Sequence, residues 1–332
     1  MLPASSRTGR RRAMQGAAAL AVVCGLLLWW LLPTGGDGPS GRLTFSTGVK
    51  SGVYQRYGDL LQDALARDLP GVSIDLRTSE GSQQNLERVV SGEADFTVAT
   101  ADAVAKYRLD GRPGADRLRG CARLYDDYVQ LIVPQGSPVE TPADLRGKRV
   151  GVGHPGSGVR LIADRVLTAA GLDADQDVDP VSAGIDTVPG RLERGELDAF
   201  FWSGGLPTGA IRNLSERFPV RLVPVGEDLI GRVHATGDAT RYYHSAVIPS
   251  DAYPRMGARS SVQTVAVANL LVTTDRADAE LTERLTRTVI GSRDRIGRQV
   301  HPAQLVDLRT AIYTDPLPLH EGARRYYGSA KP

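Results

Sequence analysis

Two cysteines, Cys24 and Cys121, are too few for a disulfide framework. Cys24 falls inside an apolar run, which leaves the rest of the chain one thiol and no internal bridge. Cys121 reads as a small core residue, with a reactive thiol as the other reading. Histidine is also scarce: of the five, none has a metal-ligand or triad signature. An excess of one charge is missing as well. The net charge of +2 rests on Arg7, Arg10, Arg11 and Arg12, which lie in a 33-residue opening that holds no acid. Without them 36 basic residues face 38 acidic ones, and no basic patch argues for nucleic acid.

What is present suits a soluble globular body: 41% hydrophobic and 23% charged residues in a chain of 332, long enough for two domains with separate cores. Ahead of it, residues 13–32 (AMQGAAALAVVCGLLLWWLL) form a nearly uninterrupted apolar stretch. At about 1.5 Å per residue it can span a bilayer core of about 30 Å. The arginines of segment 1–12 precede it, so the positive-inside rule puts that segment in the cytoplasm and the body outside. An uncleaved anchor is favoured over a cleaved export signal, because no A-x-A-like site follows Leu32. A lipoprotein signal or a twin-arginine signal fits the flanking residues poorly. Residues 33–41 read as a flexible linker.

The body opens on Leu43–Leu61, LTFSTGVKSGVYQRYGDLL. A short apolar run gives way to a turn with Ser46, Thr47, Gly48, Ser51 and Gly52. A helical pattern follows, with Tyr57, Leu60, Leu61, Ala64 and Leu65 on one face. Such a loop faces a helix N-terminus, where free backbone N–H groups attract an anion. The same order recurs at Lys148–Ala170: strand, the loop His154-Pro155-Gly156-Ser157-Gly158, then a helix closed by Gly171. Between them, Val72–Leu76 and Phe96–Ala99 read as strands, and Leu86, Val89 and Val90 mark a short helix ending at Gly92.

A second echo joins Leu86–Phe96 to Leu192–Phe200: helix, Gly stop, Glu-x-Asp, buried strand. Two similarly built α/β lobes, each a mainly parallel sheet flanked by helices, are expected. Lobe 1 takes 42–134 and 251–332, and lobe 2 takes 135–250, with a boundary at the breaker cluster after Tyr128–Val133. Asp228–Asp251 resists assignment. Gln263–Thr273 reads as a long strand, 278–297 and 302–313 as helices, and 316–323 as irregular.

Several constellations invite chemistry. Gly151–Gly156 satisfies G-x-G-x-x-G, yet the acidic residue of a dinucleotide site is misplaced, since Asp173 and Asp175 fall in a loop. Ser157 with His154 suggests a hydrolase nucleophile, but the G-x-S-x-G elbow is broken by Pro155 and Val159. No enzyme activity, metal or cofactor is expected. Asp102 ends a buried strand and either takes a ligand ammonium or caps the next helix. Tyr54, Tyr125 and Trp202 either line a cleft or fill a core.

The motifs, taken in order, resemble the TAXI family of extracytoplasmic receptors associated with TRAP transporters. They are Thr47-Gly48 with Gly52-Val53-Tyr54, Ser79-Glu80-Gly81-Ser82-Gln83-Gln84-Asn85, Gly92-Glu93-Ala94-Asp95 and Asp144–Val150. Gly156-Ser157-Gly158, Gly204-Gly205-Leu206-Pro207, Ile248-Pro249 and Pro318-Leu319-His320 complete the series. The resemblance covers about residues 42–328. It implies a two-lobed periplasmic-binding-protein fold of type II that closes on a small organic anion or amino acid of the glutamate or dicarboxylate class. It also implies a monomeric receptor with a TRAP-type permease as partner; a sensor feeding a histidine kinase is the alternative. Carried over by position, Thr47, Gly48, Tyr54, Gly81, Ser82, Asn85, Gly156, Ser157 and Gly158 line the cleft. Ser51, Asp102, His154 and Trp202 join them from the reading of the loops. The chain departs from the family pattern at Gln55, Arg56 and Glu80, and Lys50 is an extra cation.

Overall fold

The computed structural model describes residues 39–256, 260–300 and 306–330. The segment 1–12, the apolar stretch 13–32 and the linker up to residue 38 lie outside the described residues. Contacts gather Pro39–Pro332 into one compact unit. Among the described residues no helix is long and apolar enough to cross a membrane.

Strands and helices alternate from the start. β1 (Gly41–Ser46) leads to α1 (Val53–Asp68), β2 (Val72–Arg77) to α2 (Ser82–Ser91), and β3 (Phe96–Thr100) to α3 (Ala101–Leu109). β1 pairs in parallel with both β2 and β3, the arrangement that helical crossovers require. The apolar face expected of α1 is buried at Tyr57, Leu60, Leu61, Ala64 and Leu65. After β4 (Leu118–Pro134), a short turn of helix at Pro142–Leu145 is fixed by a capping box between Thr141 and Asp144. The alternation then repeats as β5 (Arg149–Gly151), α4 (Gly158–Ala169), β6 (Asp179–Val181), α5 (Val188–Glu193) and β7 (Ala199–Gly204). The remainder runs α6 (Gly209–Arg217), β8 (Val220–Val223), α7 (Glu227–His234), β9 (Tyr243–Ile248) and β10 (Val262–Thr274). It closes with α8 (Ala279–Gly291), α9 (Arg293–Gly297), α10 (Leu308–Ala311) and α11 (Glu321–Ser329).

Among the described residues the strands form one ten-stranded sheet in the order β2-β1-β3-β10-β4-β7-β5-β6, with β8 beside β4 and β9 beside β10. Two parallel trios are therefore each sealed by an antiparallel strand, β10 against β3 and β4 against β7. The two sealing strands pair with each other at the centre, through register shifts at Ala268/Leu270 and Leu271/Val272.

The Gly-Glu-x-Asp echo is the same device used twice. Gly92 and Gly195 end their helices with positive φ, 86° and 70°, which favours glycine. Asp95 then accepts from the Thr44 backbone N–H at 2.7 Å and donates its own N–H to the Thr44 carbonyl at 2.8 Å. Asp198 and Arg149 repeat both bonds at 2.8 and 2.9 Å. Each aspartate locks the first strand of its trio to the third.

Some expected boundaries move. The strand expected at Tyr128–Val133 is the second part of β4, which begins ten residues earlier at Leu118. The polar Arg119, Arg123 and Asp126 face partly outward and hide the alternation. The helix expected over 278–297 breaks at Ser292, which ends α8 and begins α9. Of 302–313 only Leu308–Ala311 is helical among the described residues, and 301–305 lie outside them. The irregular tail instead enters α11, with the His320 imidazole accepting from Gly322 N–H at 3.1 Å. Gly322 allows that packing, because a Cβ there would sit 2.1 Å from the Ala279 carbonyl oxygen. Cys121 is fully buried, and desolvation pushes its thiol pKa far up, which removes the reactive reading.

Candidate functional site

The loops that follow β1, β2 and β5 open into helices at one end of the sheet, and between them lies a cleft. It is partly open to solvent and lined from both halves of the sheet. From the first trio come Gly48, Val49, Tyr54, Glu80, Gly81, Ser82 and Thr100. From the second come His154, Ser157, Gly158, Ile185, Phe201 and Trp202, and Asp127 of β4 contributes from the centre. The site lies at the carboxyl ends of parallel strands, where open α/β sheets bind ligands.

Each wall has a local cause. Gly81 has φ +131°, and a Cβ there would lie 3.4 Å from Ser157 Cα, so the two trios approach closely at this point. Gln83 strengthens the contact, donating its N–H to the Gly156 carbonyl at 3.2 Å and its amide to the Ser157 carbonyl at 3.3 Å. Tyr54 shows part of its ring to the cleft while its desolvated hydroxyl donates to Asn269 Oδ1 at 2.5 Å and lies 3.2 Å from Ser82 Oγ. Burial and the nearby Asp127 push the Tyr54 pKa well up, so it remains a protonated donor. Trp202 is fixed by donating to Thr208 Oγ1 at 3.0 Å. His154 Nε2 stands 3.6 Å from Glu80 Oε2 across the rim.

Of the residues expected in the cleft, Gly48, Tyr54, Gly81, Ser82, His154, Ser157, Gly158 and Trp202 line it. The others lie elsewhere. Ser51 is exposed on the loop. Thr47 is buried, its hydroxyl held by Gln55 Oε1 at 2.5 Å and the Arg77 carbonyl at 3.1 Å. Asn85, also buried, donates to the carbonyls of Thr47 and Val98 and accepts from Ser46 and Ser79, so it ties strand ends together behind the cleft. Gly156 stands outside the lining with its carbonyl committed to Gln83.

Asp102 stands outside the cleft lining. It makes no cap for α3, and its Oδ2 accepts from Arg165 Nη1 at 2.7 Å and from Tyr243 OH at 2.5 Å. Tyr125 is core, its ring centroid 5.7 Å from that of Tyr57. Ser157 Oγ donates to the His154 carbonyl at 2.7 Å and accepts from Arg160 N–H at 3.0 Å. Its hydroxyl is thus bonded to the backbone oxygen of His154 and not to the imidazole.

Asp127 was missed by the sequence reading. The strand expected at Tyr128–Val133 begins one residue after it. The available signal was an acidic side chain in inward phase between Tyr125 and Val129, all three buried.

A model of the NMT1-like family matches residues 45–329. Among solved structures, an ancestral arginine-binding protein bound to arginine superposes with a TM-score of 0.51 at 15% identity, over 78% of this chain and 98% of that one. A putative L-cystine ABC transporter from Listeria monocytogenes gives 0.50 at 13% identity, over 80% and 98%. The periplasmic aliphatic sulphonate binding protein from Escherichia coli gives 0.46 at 17% identity, over 89% and 84%. At such identities the likeness is one of fold: two-lobed α/β, of the type II periplasmic-binding-protein kind.

Proposed function

The chain belongs to the NMT1-like family, and from that premise we propose that it is an extracytoplasmic solute receptor without catalytic activity. One observation carries the reading: a cleft at the carboxyl ends of the strands, lined from both parallel trios of the sheet. The lobes are 42–134 with 251–332, and 135–250. The solute is of amino-acid size, and a carboxylate on it would meet the backbone N–H groups at the starts of α1, α2 and α4. The ordered motifs from Thr47-Gly48 to Pro318-Leu319-His320 support delivery to a TRAP-type permease, and residues 13–32 support tethering of the body outside the membrane.

Mass spectrometry of material released by denaturing the purified chain tests this. A stoichiometric small molecule is expected, together with loss of solute uptake in cells that lack the protein. A chain that releases nothing, binds no small organic solute in calorimetry and leaves uptake unchanged when deleted is not a receptor.

A further inference from the structure

Asp127 sits in the cleft wall with 3% of its surface exposed, and its Oδ1 has no hydrogen-bond partner among the described residues. A buried carboxylate in that state is strongly unfavourable unless something pairs with it. No lysine or arginine lines the cleft among the described residues. Arg165, the buried guanidinium of α4, is spent on Asp102 and Tyr243. Asn269 Nδ2, on the neighbouring strand, is also buried and has no partner among the described residues. Glu80 adds a second acidic group at the rim. The remaining charged-state candidate, His154, already faces Glu80.

Resting on the receptor reading, we infer that the solute carries a cationic nitrogen, an ammonium or amidinium, and that Asp127 is its counter-ion. The cation supplies the partner that Oδ1 lacks, with Tyr54 and Ser82 beside it. Phe201 and Trp202 present aromatic surface, against which a cation is also favoured. A dicarboxylate brings further negative charge toward Asp127 and Glu80 with no side-chain cation to receive it. Burial holds the Asp127 pKa at about 7. A bound cation would lower it and release a proton near neutral pH.

The full chain, wild type and Asp127→Asn, is titrated calorimetrically with agmatine, phenethylamine and L-arginine, and with succinate and glutarate. The solute released from the wild-type chain on denaturation is identified in parallel. At least one amine is expected to bind, with affinity reduced tenfold or more in Asp127→Asn at an unchanged circular dichroism spectrum. The released solute is expected to contain a basic nitrogen, a readout that needs no variant. Tight binding of succinate or glutarate, a released solute without basic nitrogen, or equal amine affinity in a folded Asp127→Asn overturns the counter-ion assignment and leaves the receptor standing. A chain that binds neither class and releases nothing overturns both.

Discussion

Asp127 and Asn85 show how differently two buried polar residues can serve a fold. Asn85 has all its polar capacity met by strand ends, so it stabilises. Asp127 does the opposite. Desolvation, with Asp126 and Asp102 nearby, raises its pKa to about 7. Between its ordinary value near 4 and about 7, the unfolded chain is ionised there while the folded chain holds the proton. Stability is therefore lost as pH rises through that window, on the order of 1.4 kcal/mol per unit. Asp127→Asn is expected to melt above the wild type at pH 8, with the gap closing toward pH 4, in ligand-free melting curves. A gain in stability coupled to a loss of binding marks a residue kept for its ligand. At this scale the sequence showed Tyr54, Ser82 and His154, because small-residue loops before helices announce themselves. It hid Asp127, whose meaning depends on strand phase, and it misdirected Asp102, whose partners lie 63 and 141 residues away.

Among elements, the paired strand–loop–helix units were legible from periodicity and from glycine stops. The Gly-Glu-x-Asp echo predicted helix, stop and strand in both trios, and the structure adds what the aspartate does. Removing Asp95 or Asp198 leaves the N–H of Thr44 or Arg149 without its side-chain partner. Asp95→Ala and Asp198→Ala are each expected to cost about 1–2 kcal/mol in urea unfolding. Faster amide exchange should be confined to β1 and β3 in the first variant and to β5 and β7 in the second. Elements that depend on distant packing were harder to read. β4 carries charged residues that a ten-stranded sheet accommodates on its outer phase, and α11 is held against α8 by Gly322, whose close approach no local pattern records.

For the whole molecule, the order of motifs indicated two similarly built sets of parallel strands and helices, while the way they join was not visible. Arg165 of α4 reaches Asp102 of α3, so the helix after β5 is bound to the helix after β3 by a buried ion pair, with side chains 12% and 2% exposed. Tyr243 completes it, sharing Asp102 Oδ2 and lying under the guanidinium at 5.4 Å. Arg165→Met leaves Asp102 buried without its cation and is expected to cost about 3–5 kcal/mol in denaturant unfolding. Hydrogen exchange should rise in α3 and α4 before it rises in α1. A variant as stable as the wild type would show that the pair adds nothing to the joint.

The swapped arrangement of β4 and β10 also sets a timetable. The sheet partners of the second trio, β4 through β7, are all made by residue 204, whereas the first trio waits for its partner β10, which ends at Thr274. The half of the sheet synthesised first is therefore the last to close. Its exposed β3 edge must persist through some 160 residues of further chain, a long-range closure that slows folding. The sheet is therefore expected to close from its middle outward.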